Sequence, residues 1–262
     1  MVNVGTGRER DLRVPTPAES ALASDADSTG DWHPNTPMMF QSGAWGDMYR
    51  AGYHTGVTHV HHFFTRRNLT ALARAWREIN QLPASLRAAG RFVFTGTVQI
   101  ASRMSQFRFD SRNPQNTAGG IMKGVLFVPS MSKEARVPDL MERRFDSIER
   151  QQEAEAGWTD PAQVAISTVS AAATGMPANS VDYVFVDPPF GKNIIYSELS
   201  FLWEAWLRVF TNNGEEAIVS SFQGKALPDY QRLMQACFEE CFRVLKPGRW
   251  MTVVFSNSQS SV

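Results

Sequence analysis

A short motif, Asp187-Pro188-Pro189-Phe190, constrains the fold more than any other stretch of the chain. It follows a run of β-branched and aromatic residues at 181–186, which is typical of a buried strand. Proline has no N–H, and it pushes the preceding residue out of the α region, so a strand is expected to stop here. Asp187 would then lie at the carboxyl end of a strand, where open α/β sheets bind their ligands.

The residue types in this motif suit chemistry on the exocyclic amine of a nucleic-acid base. Such an amine is a weak nucleophile because its lone pair is delocalised into the ring. The Asp187 carboxylate and the Pro188 carbonyl could accept its two hydrogens, and Phe190 could stack on a base extruded from the helix. An ordinary turn after a strand is the alternative interpretation. The pattern that follows, with apolar helices, Lys246-Pro247-Gly248 and another strand, favours function.

The motif resembles the catalytic motif of adenine-specific DNA methyltransferases that use S-adenosyl-L-methionine (AdoMet). The run from Val181 to Leu207 is similar to one subgroup of them, as are the blocks Gly56 to Trp76 and Cys241 to Val262. The resemblance covers about residues 33 to 262. It implies a class I methyltransferase-like, Rossmann-like α/β fold with a mostly parallel sheet, expected to be incomplete in this chain. It also implies methyl transfer to adenine in DNA, with Asp187, Pro188, Pro189 and Phe190 as catalytic residues.

Further site residues are expected around this motif and in the upstream block. The resemblance suggests that Phe64, Thr65 and Asn68 lie near the methionine end of AdoMet. Ser170 stands in the region where family members often carry an acidic residue near the adenine of AdoMet, and Asp187 faces the same cofactor. Two sets of residues are expected to contact DNA: Lys192, Asn193 and Tyr196 beside the motif, and Arg103, Arg108 and Arg112 in a long polar loop over 102–124.

One expected element is not found in the sequence. The AdoMet-binding turn of this fold is rich in glycine and follows the first strand, but no Gly-x-Gly in this chain follows a strand and opens a helix. We therefore expect the N-terminal and C-terminal parts of the same enzyme to be missing from this chain. Three alternatives stay open: cytosine as the target base in DNA, a guanine-amino tRNA methyltransferase, and an inactive, truncated nucleic-acid-binding fragment.

Composition indicates a globular protein without a membrane partner. The chain is 43% hydrophobic and 20% charged, and no apolar run approaches the roughly 20 residues of a membrane span. We see no signal peptide, and two cysteines four residues apart fit a reducing compartment, so a cytoplasmic location is expected.

The charge distribution is uneven although the net charge is zero. Ten basic residues and two acidic residues lie between Val60 and Val125, a local net charge of +8. This local positive charge suits contact with the phosphates of a nucleic acid. An equally good interpretation is that the arginines lie on ordinary solvated faces of helices and loops.

All five histidines lie close together in the sequence, at positions 33, 54, 59, 61 and 62. A metal site is conceivable, but no acidic residue or cysteine accompanies His59, His61 and His62. We therefore expect packing and hydrogen-bonding roles and no metal, with DNA contact as a third option.

Hydrophobic periodicity predicts the remaining elements. Helices are expected over 68–81, 136–156, 196–210 and from Tyr230 to Leu245, and strands over 124–128, 163–169, 181–186 and 250–255. The stretch 91–101 is expected to form a strand, or a helix if tertiary contacts override its β-branched residues. The right-handed crossover rule makes the last two strands parallel. Three regions follow: a disordered segment over 1–31, a basic accessory region over 32–160 and a catalytic half-domain over 161–262.

Overall fold

The structure, a computed structural model, describes residues 2–4, 11–24, 30–38, 57–107, 120–157, 163–192 and 194–256. These residues divide into two units. The first holds everything described up to residue 157, together with 202–208, and the second holds 163–192, 194–201 and 209–256.

Helix α2 (Arg66–Gln81) confirms the helix predicted over 68–81 and begins two residues earlier. Thr65 caps its start, since the Thr65 hydroxyl accepts a hydrogen bond from the Asn68 backbone N–H at 3.2 Å. Leu72, Trp76 and Ile79 recur at helical spacing and are buried. Pro83 follows Leu82 directly, and this position disfavours a further helical turn.

Of the two alternatives for 91–101, the helix is confirmed and the strand is wrong, because helix α3 (Ala84–Val98) covers most of this stretch. Its buried residues include Val93, Phe94, Thr97 and Val98, which lie on one face of a helix at four-residue spacing. The ring centroid of Phe94 lies 4.9 Å from that of Trp76 on α2. Tertiary burial of this face therefore outweighs the β propensity of the individual residues.

Helix α4 (Val137–Glu155) confirms the charged helix predicted over 136–156. Pro138 lies in its first turn, where a missing N–H costs nothing. Val137 and Leu140 are buried, whereas Phe145 is 51% exposed. The fully buried residues of this helix therefore lie in its first turn.

The core of the first unit is built around Trp206, whose side chain is fully buried. The rings of Trp32, Phe64, Trp76 and Phe94 surround it, with centroid distances of 5.9, 6.1, 6.3 and 5.1 Å. These tilted and edge-on contacts are the arrangements that aromatic pairs favour. Trp206 belongs to helix α5 (Tyr196–Leu207), which confirms the helix predicted over 196–210, and Leu202 and Ala205 are buried beside it.

The strand predicted over 124–128 is wrong. The backbone there forms no regular element, although Leu126 and Val128 are buried. A short apolar run can bury its side chains without forming a strand, and no strand among the described residues pairs with this one.

The N-terminal segment, expected to be disordered over 1–31, contains regular elements where it is described. Strand β1 (Val2–Val4) pairs antiparallel with β2 (Asp11–Arg13), and helix α1 (Pro17–Ser24) follows. Thr16 and Glu19 form a reciprocal capping box, with the Thr16 N–H donating to Glu19 at 2.8 Å and the Glu19 N–H to the Thr16 hydroxyl at 3.3 Å. The prediction of disorder overlooked the Thr-x-x-Glu spacing at 16–19, which is a sequence signal for the start of a helix.

The second unit contains a two-stranded parallel sheet, as predicted. Strand β3 (Val181–Val186) pairs with β4 (Leu245–Val253), which begins earlier than the strand predicted from residue 250. The register shifts between Val181 and Tyr183, where Lys246-Pro247-Gly248 bulges out of β4 with Gly248 at φ 73°. The chain is therefore a mixed α/β protein, with helix α6 (Leu227–Val244) directly before β4.

The strand predicted over 163–169 is also wrong, since this segment has no regular structure. Val164 and Ile166 are 83% and 93% exposed, so their β-branched side chains are not packed.

Of the helices in the described ranges, none is long and apolar enough to cross a membrane.

Glu240 on α6 ties the segment before β3 to the helix. Its carboxylate accepts from the Thr174 N–H at 2.8 Å and from the Thr174 hydroxyl at 2.6 Å, and Arg243 donates to it at 2.6 Å. The bond from Arg243, followed by those from Thr174, lowers the pKa of Glu240 from 4.5 to about 2.

This shift predicts a pH-dependent contribution to stability. Because the folded state favours the ionised carboxylate, the contribution is complete above pH 4.5 and is lost as the pH falls to about 2. The free energy of unfolding of the protein should therefore exceed that of Glu240→Gln at neutral pH, and the difference should vanish in strong acid. Urea titrations across this range measure it, and a difference independent of pH would contradict the prediction.

Candidate functional site

The loop after β3 places one exposed carboxylate at the carboxyl end of a parallel strand. Asp187 is exposed, whereas Pro188, Pro189 and Phe190 are half-buried. Gly191 is buried with φ 87°, a conformation that L side chains rarely adopt, so the glycine is required where the loop turns.

Three contacts hold this loop in the second unit. The Tyr230 hydroxyl donates to the Pro189 carbonyl at 2.7 Å, and the Val219 N–H donates to the Gly191 carbonyl at 3.3 Å. The rings of Phe190 and Phe255 meet edge-on, 5.3 Å apart. Helix α6, the end of β4 and the segment at Val219 therefore all fix the backbone that follows Asp187.

Two of the three residues predicted to contact the target base lie in the same unit with their side chains open to solvent. Lys192 is exposed directly after the loop, and Tyr196 is 54% exposed at the start of α5. The third, Asn193, lies outside the described residues. Next to Tyr196, Ser197 is buried, and Glu216 accepts from both its N–H at 3.0 Å and its hydroxyl at 2.5 Å.

The residues predicted to bind AdoMet from the upstream block lie in the first unit and have internal partners. Phe64 is buried against Trp206. The Thr65 hydroxyl donates to Glu134, which also accepts from Arg67. The Asn68 amide donates to the Ala101 carbonyl at 2.9 Å and to the Ala135 carbonyl at 3.0 Å. These contacts give all three residues a structural role. Both hydrogens of the Asn68 side-chain nitrogen are used within the protein, so this nitrogen has none left to donate to a ligand.

The structural role of Asn68 predicts a loss of stability when its amide is removed. Asn68→Ala should lower the free energy of unfolding by about 2–3 kcal/mol, because two carbonyls lose their donor in a site where Asn68 is 4% exposed. Chemical denaturation measures this, with Gln81→Ala at the exposed end of α2 as the control expected to stay within about 0.5 kcal/mol. Equal effects of the two substitutions would contradict the assignment.

Ser170, the remaining predicted AdoMet residue besides Asp187, lies in the irregular segment before β3. It is half-buried, and its hydroxyl oxygen accepts from the Ala172 N–H at 3.3 Å. Among the predicted AdoMet residues, Asp187 is thus the only exposed one. Ser170 and Asp187 lie in the second unit, and AdoMet binding by these residues stays a prediction.

The basic stretch is partly neutralised by acids from outside it. Arg67 pairs with Glu134, and Arg77 pairs with Asp31 at 2.8 Å. Arg103 is exposed, and its guanidinium donates to the His62 carbonyl at 3.2 Å. Arg108 and Arg112 lie outside the described residues. The local field is therefore weaker than the count of arginines in the sequence indicates.

Four histidines form a cluster in the first unit. The His61 ring centroid lies 5.8, 5.5 and 4.2 Å from those of His33, His59 and His62. Burial, followed by these neighbours, lowers the pKa of His61 to about 4, so the His61 ring is neutral at physiological pH. Within the described ranges, no group of three or more potential ligands could hold a metal ion.

Two residues beside the loop were missed by sequence reasoning: Tyr230 and Phe255. Both also line an apolar groove of about 660 Å³ along α6 and the end of β4. Tyr230 had been assigned only as the start of a helix, and nothing in its periodicity signals a bond to a loop 41 positions away.

Comparisons with protein-family models, with curated proteins and with solved structures found no match.

Proposed function

We propose that the chain acts as an AdoMet-dependent DNA methyltransferase on the exocyclic amine of adenine, and that the loop 187–190 holds that amine. The observation that carries the proposal is the exposed Asp187 at the carboxyl end of β3, followed by two prolines and an aromatic ring on a backbone fixed from three sides. The order of strand, apolar helices, Lys-Pro-Gly and parallel strand supports a class I methyltransferase-like, Rossmann-like fold.

The loop would act by positioning and electrostatics. The Asp187 carboxylate and the Pro188 carbonyl each accept one hydrogen of the amine, which localises the nitrogen lone pair and directs it away from the loop. Phe190 contributes an aromatic surface for an extruded base. AdoMet would supply the methyl group, and the described residues account only for the amine.

Contacts with the DNA backbone would come from exposed arginines of the first unit. Arg66 and Arg74 are exposed on α2, and Arg103 is exposed near its start. Guanidinium groups that contact phosphates release counterions and make binding depend on salt.

Methyl transfer from labelled AdoMet tests the proposal. The purified protein is incubated with DNA from a host that lacks adenine methylation, and in parallel with tRNA. Label in the DNA supports the proposal, whereas label in tRNA alone would favour the guanine-amino alternative. No label in either, from protein shown to be folded, would contradict enzymatic activity of this chain.

A further inference from the structure

Tyr230 joins helix α6 to the loop that follows Asp187. Its hydroxyl donates to the Pro189 carbonyl at 2.7 Å, and the residue is 4% exposed. Burial raises the pKa of Tyr230, so the phenol stays protonated and remains a donor. The Tyr230 hydroxyl can therefore donate this hydrogen bond at physiological pH.

The donor is held in place by the first turn of α6. Pro228 lies in that turn, and the Asp229 carboxylate accepts from the Ala226 N–H at 3.0 Å. The Tyr230 N–H donates to the Ala226 carbonyl at 3.2 Å. A residue in such a turn presents its side chain from a rigid element.

The loop needs an anchor of this kind because its own backbone offers few bonds. Pro188 and Pro189 have no N–H, so this part of the loop can be fixed only through its carbonyls. Each residue before a proline is extended, and in an extended chain successive carbonyls point in different directions. Because the Pro189 carbonyl already accepts from Tyr230 on α6, the Pro188 carbonyl is the candidate acceptor for a ligand.

We infer that Tyr230 is a positioning residue for the proposed methyl transfer: its hydrogen bond to Pro189 sets the direction of the Pro188 carbonyl and thereby the geometry of the amine site. This inference rests on the proposed function. Phe255 supports the same loop from β4 through its edge-on contact with Phe190 at 5.3 Å, but it does not fix a carbonyl.

Tyr230→Phe tests the inference because it removes the hydroxyl and keeps the ring. The matched control is Tyr183→Phe, which removes a hydroxyl that bonds to the Thr252 side chain between β3 and β4 at 2.5 Å. Amide hydrogen exchange of Phe190 and Gly191 is measured for both variants and for the unchanged protein. Turnover and KM for DNA are measured in the methyl-transfer assay.

In Tyr230→Phe, exchange of the loop amides is expected to rise about fivefold, as the loss of one hydrogen bond predicts. The kcat is expected to fall about tenfold with KM for DNA unchanged, because only the alignment of the amine is lost. Tyr183→Phe should leave both quantities as they are.

Two results would overturn the inference. Unchanged exchange in Tyr230→Phe would show that the bond does not hold the loop, whatever the enzymatic result. Faster exchange with an unchanged kcat would show that the held geometry does not matter for transfer. If the unchanged protein transfers no methyl group, the proposed function fails, and the positioning role fails with it even where the exchange result shows an anchored loop.

Discussion

Replacing Asp187 with alanine is expected to lower the rate of methyl transfer to DNA by at least about 10²–10³-fold, as the removal of one preorganised group at a reacting centre does. The carboxylate would accept one hydrogen of the target amine, and alanine offers no acceptor. The fold should survive, since Asp187 is exposed and directly follows β3. Single-turnover rates with labelled AdoMet measure the effect, and circular dichroism checks the fold.

Asp182→Asn is the matched control for this substitution. Asp182 is an exposed carboxylate within β3, and it pairs with Lys246 at 2.8 Å and Arg249 at 3.2 Å. Surface pairs of this kind contribute little, so this variant should transfer methyl groups at close to the unchanged rate. Retained activity in Asp187→Ala, or an equal loss in both variants, would contradict the catalytic role of Asp187.

Trp206→Ala is expected to cause the largest loss of stability, about 3–5 kcal/mol in the free energy of unfolding. Trp206 is fully buried, and its ring contacts four other aromatic rings of the first unit, so alanine would leave a cavity between them. Its indole N–H is buried without a hydrogen-bond partner, so removing it breaks no polar bond. The loss would come from packing alone.

Urea unfolding followed by far-ultraviolet circular dichroism measures the loss. Phe145→Ala is the control in the same unit, because Phe145 is 51% exposed on α4 and its removal should cost about 0.5 kcal/mol or less. If Trp206→Ala were no more damaging than Phe145→Ala, the aromatic cluster would not be the core of this unit.

The elements with strong local signals could be predicted from the sequence. The apolar stripe of α2 has the period of a helix, and the β-branched and aromatic residues of β3 favour a strand, so both elements were predicted to within a few residues. The parallel pairing of β3 with β4 followed from the handedness of the crossover between them.

The predictions that were wrong concerned short apolar runs, whose secondary structure depends on the elements that pack beside them. The residues 91–101 carry β-branched side chains, yet the face with Phe94 packs against Trp76 and forms α3. The runs at 124–128 and 163–169 have strand-like composition but no strand beside them among the described residues. The composition of a segment shows that it could form a strand, but it forms one only where a neighbouring strand is available to pair with it.

The candidate site divides in the same way. The positions of Asp187 and the loop could be predicted because proline restricts the backbone locally and glycine permits the positive φ at which the loop turns. The bond from Tyr230 and the internal roles of Thr65 and Asn68 could not, since each depends on a partner at least 33 residues away in the sequence. A long-range hydrogen bond made by a single side chain produces no periodic pattern in the sequence.

The most direct test of the central claim is the identity of the methylated nucleoside. DNA that lacks adenine methylation is incubated with AdoMet and either the unchanged protein or Asp187→Ala, and is then digested to nucleosides for mass spectrometry. We predict N6-methyldeoxyadenosine with the unchanged protein and none with Asp187→Ala. Methylation of another base only, the same product from both proteins, or no methylated nucleoside at all would contradict the assignment.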